Sequence, residues 1–468
     1  MPGSMDSTAA AAVVALITGL ATLAAAPVTL AAGFALKEQS ATAQGNAFAG
    51  ATAGADDISY MFFNPAGLTR HEGMQAATSL SLIIPKATFD LESASTTPGT
   101  PISGDDGGGD IGKDAVVPSL YLTWATPYDL HLGLGVNAPF GLKTHYEDDW
   151  AGRYHALDSR ATTVNVNPAA AYAVTDRLSV GVGAQIQYID VKLSNAVDFG
   201  TIAALGAASS PTLAAVLAGA GITPSPGNVQ QDGRVVLRGH DVGFGFNFGM
   251  LYELSKATRF GIAYRSRIEH TLEDDDVDFD LGNVGGVLNA ATGQFADGGV
   301  KADFEAPESI SFGLHHDLNP RWSVMAEVAW TRWSSFDALI VEFDNPADDP
   351  SFTDESWKDS WFLSLGATYR PTGALTLRGG IAFDEGTVKD AERRTPRIPE
   401  ADRYWVSIGA GYQVKDWLSL NAAYTHLFLP EVSTNLRASD EGNLARGNLS
   451  GSYDSDVDIV SVSAVVRF

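Results

Sequence analysis

The chain of 468 residues carries 48 Gly, 21 Pro and no Cys, with a formal charge of −26 and a hydrophobic content of 45%. The lack of Cys excludes a disulfide framework, a thiolate metal site and a lipid-modified N-terminal Cys. The acidity argues against a nucleic-acid partner, which would ask for a basic footprint.

The first element is Ala9 to Ala26, small and apolar apart from Thr18, Gly19 and Thr22, which reads as the apolar region of a secretory leader. Thr29 and Ala31 stand at −3 and −1 of a cleavage site, so residues 1–31 are expected to be a signal peptide and Ala32 the mature start. The leader lacks Lys or Arg and carries only Asp6, which leaves the true start, and a membrane anchor, as open alternatives. An exported chain without Cys avoids oxidative mispairing. Beyond residue 31 no run of about 18 apolar residues recurs, so no helical span is expected. A barrel stays possible, because strands of about 9 to 11 alternating residues leave hydropathy unremarkable, in line with a mean hydropathy of −0.00.

Residues Ala32 to Thr69 are rich in Gly and Ala without a two-residue period, so they are not a strand. From Met74 onward the chain alternates. Short breaks fall at 127–129, 175–177, 255–257, 318–320, 371–373 and 415–416. Long polar or Gly-rich breaks fall near 91–114, 141–158, 196–233, 274–299, 343–357, 390–402 and 435–452. Several of the long breaks are acidic: Asp105, Asp106 and Asp110 in the first, Asp274 to Asp276 in the fourth, Asp348, Asp349, Asp354 and Glu355 in the fifth. Strict short-long alternation predicts fourteen antiparallel strands with tight periplasmic turns and long outer loops.

Parity inside the strands agrees. From Leu178 to Tyr188 the even positions are apolar, and the odd ones hold Ser179, Gly181, Gly183, Gln185 and Gln187. The last strand sets Val460, Val462, Ala464, Val466 and Phe468 against Ser461, Ser463, Val465 and Arg467. Period two with one polar face suits a wall between lipid and lumen, although a soluble sandwich alternates too. Trp322, Trp330, Trp361, Trp405 and Trp417 near strand ends are expected to form membrane girdles. An aromatic last residue, Phe468, is expected to be read by the barrel assembly machinery.

The fold class is therefore an all-β, fourteen-stranded transmembrane barrel in the outer membrane of a Gram-negative cell, in contact with its lipids and lipopolysaccharide. Such a barrel is too wide for its own wall side chains to fill, so residues 32–73 are expected to plug the barrel of residues 74–468. The plug ends in Asp56-Asp57-Ile58-Ser59-Tyr60-Met61-Phe62-Phe63-Asn64-Pro65-Ala66-Gly67.

These motifs resemble the FadL family of outer-membrane long-chain fatty acid transporters. The resemblance rests on Ala32-Gly33-Phe34, Glu38-Gln39-Ser40, Gly45-Asn46-Ala47-Phe48-Ala49-Gly50, Asp56-Asp57 and Asn64-Pro65-Ala66-Gly67. It continues through Trp150-Ala151-Gly152-Arg153-Tyr154, Gly243-Phe244-Gly245-Phe246-Asn247, Ala263-Tyr264-Arg265-Ser266, Trp330-Thr331-Arg332-Trp333 and Asp402-Arg403-Tyr404-Trp405. It implies a monomer with an N-terminal hatch and passive, ligand-gated uptake of long-chain fatty acids or similar hydrophobic compounds through a lateral opening in the wall. A channel for aromatic or alkane hydrocarbons, and a polar-solute porin, are the alternatives.

By transfer from the family motif, Asn64, Pro65, Ala66 and Gly67 are the gating candidates, against a buried turn that merely anchors the plug. Parity sends Arg259, Arg265, Arg267, Arg378, Glu327, Asp241 and Asn247 to the lumen. There the arginines either pair with Asp56, Asp57 and Glu38 of the plug, or Arg265 or Arg378 clamps a carboxylate. The family's basic pocket residues have no match here; their regions hold Asp190 and Leu339-Ile340. Phe62 and Phe63 of the plug, and Leu213 and Leu217 of the long loop 196–233, are candidate apolar contacts; the loop helix either receives ligand or packs on the rim. Asp454, Asp456 and Asp458 share one strand face, as a solvated rim or a divalent cation site. No cofactor, metal ligand set or catalytic constellation is expected: no G-x-S-x-G elbow appears and the nine His are scattered.

Overall fold

The computed structural model describes residues 33–105 and 107–468, the side chains of residues 274 and 275 excepted. The expected leader and its cleavage site lie outside these residues, as do Ala32 and Asp106. The wall is built from β1 (Met74–Ser95), β2 (Ala115–Ala125), β3 (Leu130–Asn137), β4 (Asp158–Thr175), β5 (Leu178–Asp198), β6 (Asp232–Ser255) and β7 (Thr258–Arg265). It continues with β8 (Ser309–Asn319), β9 (Trp322–Thr331), β10 (Ser360–Tyr369), β11 (Leu375–Asp384), β12 (Arg403–Lys415), β13 (Leu418–Phe428) and β14 (Asn448–Arg467). Each pairs antiparallel with the next, and β14 returns to β1 from Gln75↔Arg467 onward. The sheet is thus a closed ring of fourteen strands. Closure removes the free edges that would otherwise leave unpaired backbone in lipid.

The polar face points inward. On β5, Val182, Ile186 and Tyr188 are exposed to the surroundings while Gln185 and Gln187 are fully buried. Val460 and Val462 face out on β14 and Ser461 faces in. Soluble folds bury their apolar face; this wall does the reverse, as a lipid-facing surface requires. Trp322, Trp361 and Trp417 stand on the outer surface as expected of girdle residues. Trp405 does not: it turns into the lumen, 1% exposed, edge-on to Phe48 and Phe362.

Strands run further into the long-loop side than the loop composition suggests. β5 and β6 pair without interruption from Leu178↔Tyr252 to Asp198↔Asp232. Twenty-one residues at roughly 3.3 Å each reach about 70 Å. At a tilt near 45° that is about twice the apolar band of about 25 Å. The wall therefore rises above the outer leaflet, and short strands at Gly141–His145, Ile268–Asp280, Gly298–Ala306, Ala338–Phe343, Ser351–Asp354 and Val432–Leu436 continue it there. Three of the breaks between a wall strand and its upper piece contain a proline: Pro139, Pro307 and Pro430. Proline has no N–H to give to a ladder, so it ends pairing where it falls.

Residues 33–73 lie within the ring. They hold α1 (Ala41–Gln44), capped by Ser40, and two 3-10 turns, Ile58–Phe62 capped by Asp57 and Pro65–Arg70 capped by Asn64. Ser81 Oγ donates to Glu38 O, Tyr121 Oη to Gln39 O, Arg259 Nε to Ala53 O and Ser364 Oγ to Ala47 O. Gln44 reaches Thr425, and Asn64 donates to Met250 O. These partners sit on β1, β2, β7, β10, β13 and β6, all round the ring, and only a segment inside the barrel can meet all of them.

The wall admits this segment closely because glycines stand where it touches. A Cβ on Gly249 would fall 1.9 Å from Asn64 Oδ1 and one on Gly261 would fall 2.0 Å from Thr52 O. Overpacking costs about 1–3 kcal/mol. Gly249→Val is therefore expected to push the hatch off β6 and raise ion conductance in a planar bilayer; conductance equal to that of the unaltered protein would show that this contact does not hold the lumen shut.

Candidate functional site

A cavity lies between hatch and wall. Leu36, Lys37, Phe48, Phe62 and Phe63 line it from the hatch; Phe140, Arg265, Glu327 and Phe362 line it from the wall. Five phenylalanines make it apolar, and two cations make it amphiphilic. Arg265 donates to Phe62 O at 2.8 Å and to Gln185 Oε1, with its guanidinium 4.5 Å from the Phe62 ring centroid. Lys37 Nζ stands 4.2 Å from the centroid of Phe362. Among the described residues neither cation has a carboxylate within 4.0 Å. Glu327 is occupied by the backbone N–H of Thr52, at 3.1 Å, and by its hydroxyl.

Towards the long loops the start of the hatch enters an aromatic nest. Phe34 lies 5.1 Å from Trp333, 5.2 Å from Phe304 and 6.0 Å from both Phe140 and Trp357, between ring centroids. Gly33 N–H donates to Glu400 Oε1 at 2.6 Å. Gly33 has φ +57, and a Cβ there would fall 2.7 Å from both Trp333 and Trp357, so only glycine threads between the two indoles. Within the nest, Trp357 Nε1–H donates to Glu355 Oε2 at 2.9 Å, and burial pushes this carboxyl up to about 8.

The ladder between β2 and β3 is interrupted beside this nest. β2 and β3 part after Leu120↔Val136. From there the chain steps inward and pairs with the hatch instead: Leu36 N–H donates to Pro139 O and Gly141 N–H to Phe34 O, each at 2.8 Å. Strand β3 thus exchanges a wall partner for the hatch just where Phe140 meets the cavity.

A family model described as "Outer membrane protein transport protein (OMPP1/FadL/TodX)" matches residues 22–468. The chain belongs to this family. It is an outer-membrane transporter of hydrophobic compounds, and not an enzyme. The long-chain fatty acid transport protein of Escherichia coli K12 is 28% identical over 411 residues, covering 86% of this chain and 89% of its own. A solved FadL homologue of Pseudomonas aeruginosa superimposes with a TM-score of 0.83 at 26% identity, covering 93% of this chain and all of that one. The Pseudomonas putida toluene transporter TodX shares the fold, with a TM-score of 0.64 at 18% identity over 94% of this chain and 100% of its own.

Against this FadL-type frame the candidate residues separate. Phe62, Phe63 and Arg265 meet in the cavity. Arg378 does not; it faces the periplasmic end, 3.6 Å from Asp56, and donates to Asn421 at 3.3 Å. Asp57 caps its own 3-10 turn and accepts from Thr42, and Glu38 Oε2 has no hydrogen-bond partner, so among the described residues Asp56 alone of the three plug acids pairs with an arginine as expected. Arg267 was expected in the lumen and is instead half exposed at the rim beside Glu269 and Glu305. The ladder breaks at Ser266, and the residues after it change face: Ser266 and Ile268 turn in.

Leu217 is buried, with Leu213 beside it, against Phe199, Ala203, Val284 and Leu288. The helices involved, α2 (Phe199–Ser209), α3 (Pro211–Gly219) and α4 (Gly282–Thr292), pack on one another above the wall, so these leucines serve loop packing. Neither lines the lumen cavity. On the outer face, Asp458 accepts from Tyr424 Oη and His426 Nδ1 at 2.6 and 2.8 Å, and with Asp456 and His426 its ligand atoms come within 4.8 Å; Asp454 stands outside this group.

Asn64, Pro65 and Ala66 are fully buried, and Gly67 is buried with them. Asn64 Oδ1 accepts from Ala66 N, while its Nδ2 donates to Thr52 O at 2.7 Å and Met250 O at 3.1 Å. One amide joins two stretches of the hatch to the wall. Sequence reasoning missed Lys37, Phe34, Phe140 and Phe362. Phe34 was visible in the mature-start motif, but nothing in the local pattern marks a single Lys as the cation of a cavity.

Proposed function

We propose that this protein takes up long-chain fatty acids, holding the chain among Phe48, Phe62, Phe63, Phe140 and Phe362 and the carboxylate between Lys37 and Arg265. The observation that carries this reading is a pair of cations, neither with a carboxylate within 4.0 Å among the described residues, in a cavity lined by five phenylalanines. A buried CH₂ contributes roughly 0.8 kcal/mol, so the acyl chain supplies most of the affinity and the cations supply selectivity. Lys37 sits one residue from Leu36, whose N–H is bonded to the stepped wall at Pro139. A head group that draws Lys37 towards it therefore pulls on the contact that closes the wall beside Phe140. Movement of the hatch then frees a lateral path between β2 and β3, and transport runs down the ligand's own gradient.

The aromatic nest around Phe34 favours a second reading, an aromatic hydrocarbon as ligand. Uptake of labelled oleate and labelled toluene, in a host lacking its own fatty-acid transporter, separates the two. Oleate uptake is expected to rise several-fold over the empty host and to saturate. Toluene uptake without oleate uptake by a folded, surface-located barrel would replace the first reading with the second.

A further inference from the structure

A second cavity, of about 420 Å³, lies wholly among the long-loop segments and shares no lining residue with the lumen cavity. Its wall contains Arg397, Arg446, His155, Thr395 and Asn443. Arg397 is 7% exposed; its donors go to Ser159 Oγ, Ser194 O and Asn195 Oδ1 at 3.0–3.4 Å. Arg446 donates to Thr353 Oγ1 and Ser351 Oγ, each at 2.9 Å. Among the described residues neither guanidinium has a carboxylate within 4.0 Å. Two further atoms have no hydrogen-bond partner among the described residues: His155 Nε2 and Thr395 Oγ1, in side chains 6% and 7% exposed.

This arrangement is costly as it stands. Buried charges are normally paired and buried polar atoms hydrogen-bonded. Burial and the neighbouring Arg446 lower Arg397 to about 9, and burial lowers Arg446 to about 10, in both cases against the attraction of the Glu355 carboxyl. Burial, with both arginines, lowers His155 to about 3, so at neutral pH two cations face a neutral ring. Behind the basin the buried Glu355 carboxyl attracts both guanidiniums but lies beyond 4.0 Å of either and accepts from Trp357 Nε1–H, and the carboxylates that line the basin are held elsewhere. Asp354 is held by Arg393 at 3.2 Å and Glu392 by Arg437 at 2.9 Å. Asp440 accepts from the backbone of Arg437 and Asp337 from Ser356, while Glu441 is exposed.

We propose that this basin is an oxyanion site, in which Arg397 and Arg446 hold a phosphate or carboxylate group, Thr395 donates to the same group, and His155 Nε2 bonds a neighbouring polar atom of the ligand. Two sources carry such a group at this height: the phosphorylated sugars of the surrounding leaflet and the head group of an arriving amphiphile. Arg393 is a built-in control, because Asp390 and Asp354 already occupy it.

The test is calorimetric titration of the detergent-purified barrel with inorganic phosphate, glucosamine 1-phosphate and octanoate. At least one of these anions is expected to bind, with affinity at least tenfold lower in an Arg397→Gln, Arg446→Gln double variant and unchanged in Arg393→Gln. Thr395→Val removes a hydroxyl that no protein group uses, so it is expected to fold normally and weaken the same anion several-fold. Binding of the phosphates alone assigns the leaflet sugars as source, and binding of octanoate assigns the amphiphile. Octanoate binding that survives the double variant but is lost in Lys37→Met belongs to the lumen cavity and counts against the basin. No anion bound by the unaltered protein, or full affinity in the folded double variant or in Thr395→Val, overturns the proposal.

Discussion

Lys37→Met is expected to cut oleate uptake about tenfold or more while leaving toluene uptake within about twofold. The substitution keeps the length and apolar stem of the side chain and removes only the ammonium. A hydrogen bond to a charged group is worth about 1.5–3 kcal/mol, which corresponds to roughly 10–100-fold in affinity. A hydrocarbon offers the ammonium nothing to bind, so its affinity depends on the phenylalanines alone. The measurement is initial uptake of each labelled compound at matched surface expression. Equal losses for both compounds would mean that Lys37 supports the hatch rather than the head group. Equal retention of both would remove the carboxylate clamp from the mechanism. Arg265 is less clean to test, because it also donates to Phe62 O and Gln185, and its removal disturbs hatch and wall together.

The second large effect is expected for Asn64→Ala combined with Pro65→Ala. The Asn64 amide serves the N–H of Ala66, the carbonyl of Thr52 and the carbonyl of Met250. Alanine leaves all three buried without that partner, at about 1–3 kcal/mol for each group left unsatisfied. Losing Pro65 also frees a backbone that proline had set for the first helical position. The hatch then no longer takes one defined position against β6, and the cavity, which Phe48, Phe62 and Phe63 of the hatch help to line, is not assembled. Oleate uptake is expected to fall about tenfold or more at matched surface expression, and ion leak to rise. Uptake equal to that of the unaltered protein would reduce this motif to a buried turn.

The wall was legible because a barrel is a periodic object. Residues such as Ile186 and Gln187 declare their faces by alternation alone, and turns such as Pro371-Thr372-Gly373 by the dihedrals they prefer. Where the ladder is interrupted, the same reasoning fails by one residue. Arg267 lies just past the break at Ser266, so counting by twos placed it in the lumen although it stands at the rim. Trp405 failed for a different reason: a strand-end tryptophan suits a lipid interface and a plug-facing contact equally, and Phe48, more than 350 positions away in the chain, decided between them.

The hatch motif could be recognised but not explained from its letters, since each of its bonds ends on a strand far away in sequence. Lys37 and the arginines of the loop basin were illegible for that reason too. A cation without a carboxylate partner is a statement about the space around it: Glu38 adjoins Lys37 in the chain, yet its carboxylate lies beyond 4.0 Å of the ammonium. By itself the sequence determined strand number, the face each regular strand gives to lipid, and which end carries the long loops, because these follow from local periodicity and turn chemistry. Only the tertiary structure decided where the wall steps in to meet the hatch, which cations lack carboxylate partners and which polar atoms stay unsatisfied, because those depend on long-range packing that no local pattern encodes.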